Sequence, residues 1–321
     1  MTYFRPSRSP VAWLAAVALA LPGALHAFDL QGHRGARGLA PENTLAAFEA
    51  ALDIGVSTLE LDLALTADGV VVISHDPRLN PAITRDADGR FLDAAGPAIH
   101  RLTLAQLQAY DVGRLRPGTR YAGGFPAQQA VDGERIPTLA ALFERVAARG
   151  DAKVRFNMEF KLGPDIGDIT PAPQPFAEAV LAVVRRHGME GRVTLQGFDW
   201  RALRVAQQLA PGIPTAYLSA QRPRFDTISD GRWTDGYTLA EHGSLPKMVK
   251  AAGGAMWAPH FADLNAALLR EAHELGLKVA VWTVNEPSDI ERMLDLGVDG
   301  LISDRPDLVR EAMARRGMPL P

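Results

Sequence analysis

The chain has 321 residues, with 34 basic and 37 acidic side chains and a net charge of −3. That balance provides no electrostatic case for nucleic acid or for an anionic membrane surface, and the 47% hydrophobic content is ordinary for a globular fold. Cysteine is absent, which excludes disulfides, thiolate metal sites and a cysteine nucleophile.

In chain order, Arg5 and Arg8 precede an apolar run at 11–21, a break at Pro22-Gly23 and small residues at Ala24 and Ala27. This is the n-region, h-region and cleavage pattern of a secretory signal peptide. The run is too short to span a bilayer comfortably. Residues 1–27 are therefore expected to be removed, leaving a periplasmic protein of residues 28–321 with no stable membrane insertion. An uncleaved N-terminal anchor is the alternative.

Beyond that point, short runs rich in Val, Ile and Leu recur at 30–33, 58–63, 70–74, 153–160, 192–196, 213–218, 255–258, 278–284 and 300–303. Amphipathic stretches at 44–52, 139–149, 176–187, 200–209, 264–275 and 288–296 separate most of them. In the first stretch Leu45, Phe48 and Leu52 fall at helical spacing, with Asn43 or Thr44 available as N-cap. Strands alternating with helices, without a solenoid period, predict one α/β domain folded as a (β/α)₈ TIM barrel.

One strand is surplus to eight. Residues 64–69 are too few for a parallel crossover and contain Asp68-Gly69, a strong hairpin signal. A two-residue turn pairs Ala67 with Val70 and sets Asp62 opposite His75. Glu60 and Asp62, two apart on one strand, face the same side. From 77 to 136 no strand-helix unit repeats. This reads as a loop insertion after the third strand, with one helix-like piece at 103–110.

The strand ends carry the polar residues. "QGHRGARG" puts His33 and Arg34 at the C-terminal end of the first strand, the active-site face of a barrel. "NMEFKLG" puts Glu159 and Lys161 at the end of another. The mouth then gathers Glu60, Asp62, Glu159, His33, His75, Arg34 and Lys161. Carboxylates without thiolates suit one divalent cation, Ca²⁺ or Mg²⁺. Two cations suit an anionic substrate, phosphate above all, and two histidines suit acid and base roles near neutral pH.

The motifs "HRGARGLAPENT", "ELDLALTADGVVVISHD", "MEFK" and "VWTVNE" followed by "GVDGLISDRP" resemble the glycerophosphodiester phosphodiesterase family, from residue 31 to about 306. The resemblance implies a barrel with one loop insertion and a divalent metal. It also implies hydrolysis of deacylated phospholipids to sn-glycerol 3-phosphate and an alcohol such as choline or ethanolamine. Matched by motif, Glu60, Asp62 and Glu159 become metal ligands, and His33 and His75 the acid-base pair. Arg34 and Lys161 become phosphate contacts, or else salt-bridge partners of the carboxylates. Glu42 and Asn43 of "PENT" border the site, although a carboxylate near a helix start is also ordinary dipole chemistry. Trp282 is either core or a wall for the glycerol moiety. One local departure is Phe160 in "MEFK", where the family more often has an aliphatic residue. With His75 beside Asp62, His75 is assigned as first base and His33 as first acid.

Two other functions are weighed. The same site could serve an intact lyso- or sphingo-phospholipid, which would need an apolar slot or aromatics at the mouth. Phe91, Tyr110, Tyr121 and Phe125 of the insertion form no dense apolar cluster in sequence. A non-catalytic binding protein feeding an importer would need neither both histidines nor all three carboxylates.

Overall fold

The computed structural model describes residues 1–3 and 27–321, so the apolar run of the expected signal peptide lies outside the described residues. The strands are β1 (Asp29–Gly32), β2 (Thr58–Leu65), β3 (Val71–Ile73), β4 (Arg155–Phe160), β5 (Val193–Gly197), β6 (Thr215–Ser219), β7 (Gln221–Arg222), β8 (Phe225–Asp226), β9 (Met256–Pro259), β10 (Lys278–Val281) and β11 (Gly300–Ser303). Eight of them, β1-β2-β4-β5-β6-β9-β10-β11, pair in parallel, and β11 returns to β1. The fold is a closed TIM barrel, as the alternating pattern predicts.

Strand alternation explains why a core strand carries charge. Leu59, Leu61 and Leu63 of β2, with Phe156, Met158 and Phe160 of β4, are fully buried. Each such side chain contributes about 1.5–3 kcal/mol. The alternate positions pair Glu60 with Asn157 and Asp62 with Glu159. They continue on β5 as Thr194 and Gln196. These polar residues face the barrel interior, where several of them hydrogen-bond one another. Asn157 Nδ2 donates to Gln31 Oε1 (2.8 Å) and Gln196 Oε1 (2.9 Å), and Gln196 Nε2 donates to Glu60 Oε1 (2.6 Å).

The hairpin is present, but its register is one residue from the expected one. Leu63 pairs with Ile73 and Leu65 with Val71. The connection is longer than two residues: the Thr66 N–H donates to Val70 O (3.0 Å) and the Gly69 N–H to Thr66 O (3.1 Å). Gly69, at φ +77°, takes the left-handed position that such a loop requires. Ser74 rather than His75 therefore lies against Asp62, its N–H donating to Asp62 O (2.9 Å). A one-residue shift reverses side-chain faces, so His75 reaches the mouth from beyond the end of β3.

The insertion at 77–136 follows β3, as expected. It packs Leu79, Ile99, Leu107, Val112 and Ile136 around Val72 in a small core of its own. A second irregularity was not anticipated. Between β6 and β9 the chain forms the β7–β8 hairpin and two short helices, Leu239–His242 and Leu245–Ala251. Thr44, not Asn43, caps the helix Leu45–Ile54, accepting from the Ala47 N–H at 3.2 Å.

Candidate active site

The loop after β1 turns sharply. Arg34 (φ 51°) and Gly35 (φ 83°) are both left-handed, and a Cβ on Gly35 would fall 2.5 Å from the Ala47 carbonyl carbon. A left-handed arginine costs about 1–2 kcal/mol. The Arg34 N–H donates to Glu60 Oε2 (3.0 Å), which ties the turn to β2. The result places His33, Arg34 and Arg37 around one cavity of about 130 Å³, together with Glu60, His75, Glu159 and Lys161.

Glu60, Asp62 and Glu159 each direct a carboxylate oxygen to within 4.8 Å of the others. They are 2%, 1% and 6% exposed. Burial, reinforced by Asp62 and Glu159, pushes Glu60 well above the usual carboxylate range. Burial also raises Glu159 to about 7, against the pull of Lys161. Burial opposes ionisation of Asp62 as well, but Arg34 and Lys161 hold it far below its ordinary value. Asp62 Oδ1 has no hydrogen-bond partner, although it is fully buried. Crowded carboxylates with a spare lone pair and only oxygen donors fit a hard divalent cation, which would relieve their repulsion.

Both histidines are oriented by carboxylates. His33 Nδ1 donates to Asp304 Oδ1 (2.6 Å), and Asp304 also accepts from Arg37 Nε (2.8 Å), Arg37 Nη2 (3.0 Å) and Asn285 Nδ2 (2.8 Å). His75 Nδ1 donates to Asp76 Oδ1 (2.9 Å), whose other oxygen accepts from Asn80 Nδ2 (2.7 Å). An ionised carboxylate only accepts, so each bond puts the neutral ring's proton on Nδ1 and leaves Nε2 free. The free Nε2 of His33 lies 3.9 Å from Glu60 Oε2. Burial, helped by Arg37, lowers His33 to about 4 against the opposing effect of Asp304. Burial and then Arg34 lower His75.

The cations are paired to the acids. Arg34 Nη1 donates to Glu42 Oε1 (2.7 Å), and its Nε lies 3.1 Å from Asp62 Oδ2. Lys161 Nζ donates to Glu159 Oε1 (2.7 Å) and lies 3.6 Å from Asp62 Oδ1. Salt bridging, one of the two alternatives for these cations, is thus what the structure contains. Glu42 and Asn43 reach the site through other side chains. Glu42 holds Arg34 and accepts from the Tyr121 hydroxyl, while Asn43 Nδ2 donates to Asp62 Oδ2 (2.8 Å). Trp282 forms part of the cavity wall, its indole N–H donating to Ala258 O (2.8 Å).

The model of the glycerophosphoryl diester phosphodiesterase family matches residues 33–308. The chain belongs to this family. A glycerophosphodiester phosphodiesterase of Caldanaerobacter subterraneus is 28% identical over 285 residues, covering 89% of this chain and 97% of the relative. The crystal structure of a Silicibacter pomeroyi protein, proposed to be a glycerophosphoryl diester phosphodiesterase, is 39% identical with a TM-score of 0.82. That match covers 92% of this chain and 96% of the other. An Oleispira antarctica phosphodiesterase, solved with its product sn-glycerol-3-phosphate, shares the fold at 24% identity and a TM-score of 0.65. It covers 88% of this chain and is itself covered to 96%.

Several site residues of this phosphodiesterase escape a reading by sequence. Asp304 and Asn285 stand inside quoted motifs, yet nothing in their spacing says that they meet His33. Asp76 follows His75 directly, so its neighbourhood was visible but its hydrogen bond was not. Arg37, Gln196 and Tyr121 complete the polar shell from a turn, an interior strand position and the insertion.

Proposed function

We propose that this family member is an exported, divalent-metal-dependent enzyme hydrolysing glycerophosphodiesters to sn-glycerol 3-phosphate and an alcohol. The observation that carries this reading is a pair of carboxylate-oriented histidines sharing one cavity with a buried three-carboxylate cluster. The product bound by the Oleispira antarctica neighbour supports the same substrate class.

A glycerophosphodiester carries a free hydroxyl beside its phosphate, and attack by that hydroxyl on phosphorus is intramolecular, which removes much of the entropic barrier. A cyclic phosphate forms as the alcohol leaves, and water then opens it. Nε2 of one histidine accepts the hydroxyl proton, and the other protonates the departing oxygen. The roles reverse when water attacks. Asp304 and Asp76 hold Nδ1 of each ring, which leaves Nε2 free for proton transfer. Arg34 and Lys161 bring positive charge to the cavity that receives the phosphate. Glu60, Asp62 and Glu159 would hold Ca²⁺ or Mg²⁺. Such an ion, when bound, offsets phosphoryl charge and favours the ionised hydroxyl.

The direct test is hydrolysis of glycerophosphocholine and glycerophosphoethanolamine by the purified chain, with release of sn-glycerol 3-phosphate as the expected result. No hydrolysis of either in the presence of Ca²⁺ or Mg²⁺ would contradict the reading. Export rests on the Arg5, Arg8 and 11–21 pattern. N-terminal sequencing of periplasmic protein is expected to start near Phe28. Recovery of full-length chain from the cytoplasm alone would count against it.

A further inference from the structure

A line of amides runs through the barrel interior and ends on the carboxylate cluster. Gln31 of β1, Asn157 of β4 and Gln196 of β5 are each 1% exposed, so their hydrogen bonds are made within the protein. At the barrel floor Gln31 Nε2 donates to Asp29 Oδ2 (2.8 Å). Asp29 is fixed there as an acceptor, because its Oδ1 takes Ser57 Oγ (2.8 Å), Thr58 Oγ1 (2.6 Å) and Arg155 Nη2 (2.8 Å). At the mouth Gln196 Nε2 donates to Glu60 Oε1 (2.6 Å).

The two ends impose the direction of every amide between them. Asp29 accepts, and so does Glu60 as an ionised metal ligand. Gln31 and Gln196 therefore turn their N–H groups to the ends of the line and their carbonyl oxygens to its middle. Asn157 stands between those two oxygens and donates to both through Nδ2, at 2.8 and 2.9 Å. Its own Oδ1 is then left without a partner among the described residues.

An orphaned buried carbonyl is destabilising, and three hydrocarbon side chains would fill the same interior without one. Stability alone does not account for the line. What it achieves lies at Glu60. With its oxygen held by Asn157, Gln196 has a single amide orientation and presents a donor to Oε1. The other oxygen, Oε2, accepts the Arg34 N–H (3.0 Å), so Glu60 is gripped on both sides.

We propose that Gln196 is a positioning residue for the divalent cation, holding Glu60 in one rotamer, and that Asn157 acts through Gln196. This inference rests on the metal reading above and gives a role to two residues outside the carboxylate cluster. A group that orients a metal ligand is commonly worth about 10–100-fold in affinity.

The test is calorimetric titration of Ca²⁺ and of Mg²⁺ into the purified, chelator-stripped chain. Wild type, Gln196→Met, Asn157→Leu, the double variant and Thr194→Val are compared. Met keeps the length of Gln without its donor. Thr194 pairs with Asn157 on the same interior face but lies outside the line, so Thr194→Val is the control and is expected to bind as wild type does. Gln196→Met is expected to raise Kd about 10–100-fold. Asn157→Leu should raise it too, although Asn157 donates to Gln31 and Gln196 and not to Glu60. The double variant is expected to bind no more weakly than Gln196→Met, because both changes break one line. Hydrolysis of glycerophosphocholine should fall in both single variants at limiting metal and recover at excess metal, which a folding defect would not allow.

Melting curves in chelator show which variants fold, and either folded single variant carries the test. Unfolding of both would make the line a purely structural element and overturn the inference. An unchanged or lower Kd in Gln196→Met, or additive losses in the double variant, overturns it alone. Absence of Ca²⁺ and Mg²⁺ binding by wild type overturns the metal reading as well.

Discussion

Replacing either His33 or His75 with Ala is expected to lower kcat by about 10²–10⁴-fold, because each step needs one proton acceptor and one donor. Metal binding and the melting temperature should be largely retained, since neither ring belongs to the carboxylate cluster. The double variant is expected to be little worse than either single, as members of one catalytic unit are not additive. An activated leaving group such as p-nitrophenolate needs no proton, so it should rescue the variant that lacks the first acid and leave the other impaired. Equal rescue of both would contradict the division of labour. The ordering with His75 as first base depends on a register in which His75 faces Asp62. Ser74 occupies that place, so the rescue experiment rather than the hairpin assigns the roles. Asp304→Asn offers a graded comparison. It keeps the shape but can present an amide N–H to His33 Nδ1, favouring the wrong tautomer. A loss in kcat with KM nearly unchanged is expected, and a shift in the imidazole ¹⁵N resonances should accompany it.

Removal of divalent metal by exhaustive chelation is expected to abolish activity, with recovery on adding Ca²⁺ or Mg²⁺. Glu60→Gln or Asp62→Asn should weaken metal affinity and activity together while the barrel remains folded. The physical reason is the burial of Glu60, Asp62 and Glu159 within one small space, where their mutual repulsion has no solvent to screen it. A cation that binds only the folded form also stabilises it. At one hundred times its Kd it adds about 2.7 kcal/mol. The melting temperature of wild type should therefore rise on titration with Ca²⁺ or Mg²⁺, and that of Glu60→Gln should rise less at the same concentrations. Full activity after complete chelation, or identical metal-induced shifts in both proteins, would remove these carboxylates from the role.

Much of this was legible in one dimension because barrel strands impose a strict alternation. Glu60 and Asp62 had to share a face, and Leu59, Leu61 and Leu63 between and beside them had to take the other. His33 and Lys161 directly follow β1 and β4, and Glu159 lies one residue before the end of β4, so their placement at strand ends needed only the strand boundaries. Local chemistry was less reliable where one residue mattered. Asp68-Gly69 signalled a hairpin, yet whether the loop holds two residues or three depends on hydrogen bonds from Thr66 that no short motif specifies. The β7–β8 hairpin was missed because strands of two residues carry no periodicity.

The sequence alone determined the alternation of strands and helices, the pairing of β2 with β3 as a hairpin, and the identity of the polar side chains at the strand ends. These depend on spacing along one segment, where period and turn chemistry decide. Only the tertiary structure decided which distant residues meet: Asp304 with His33, Tyr121 with Glu42, Gln196 with Glu60, and Phe225 with Phe198. The reason is closure of the barrel. It brings β11 beside β1 and β5 into line with β2 across β4, so the partners of a site residue are set by sheet order and not by distance along the chain.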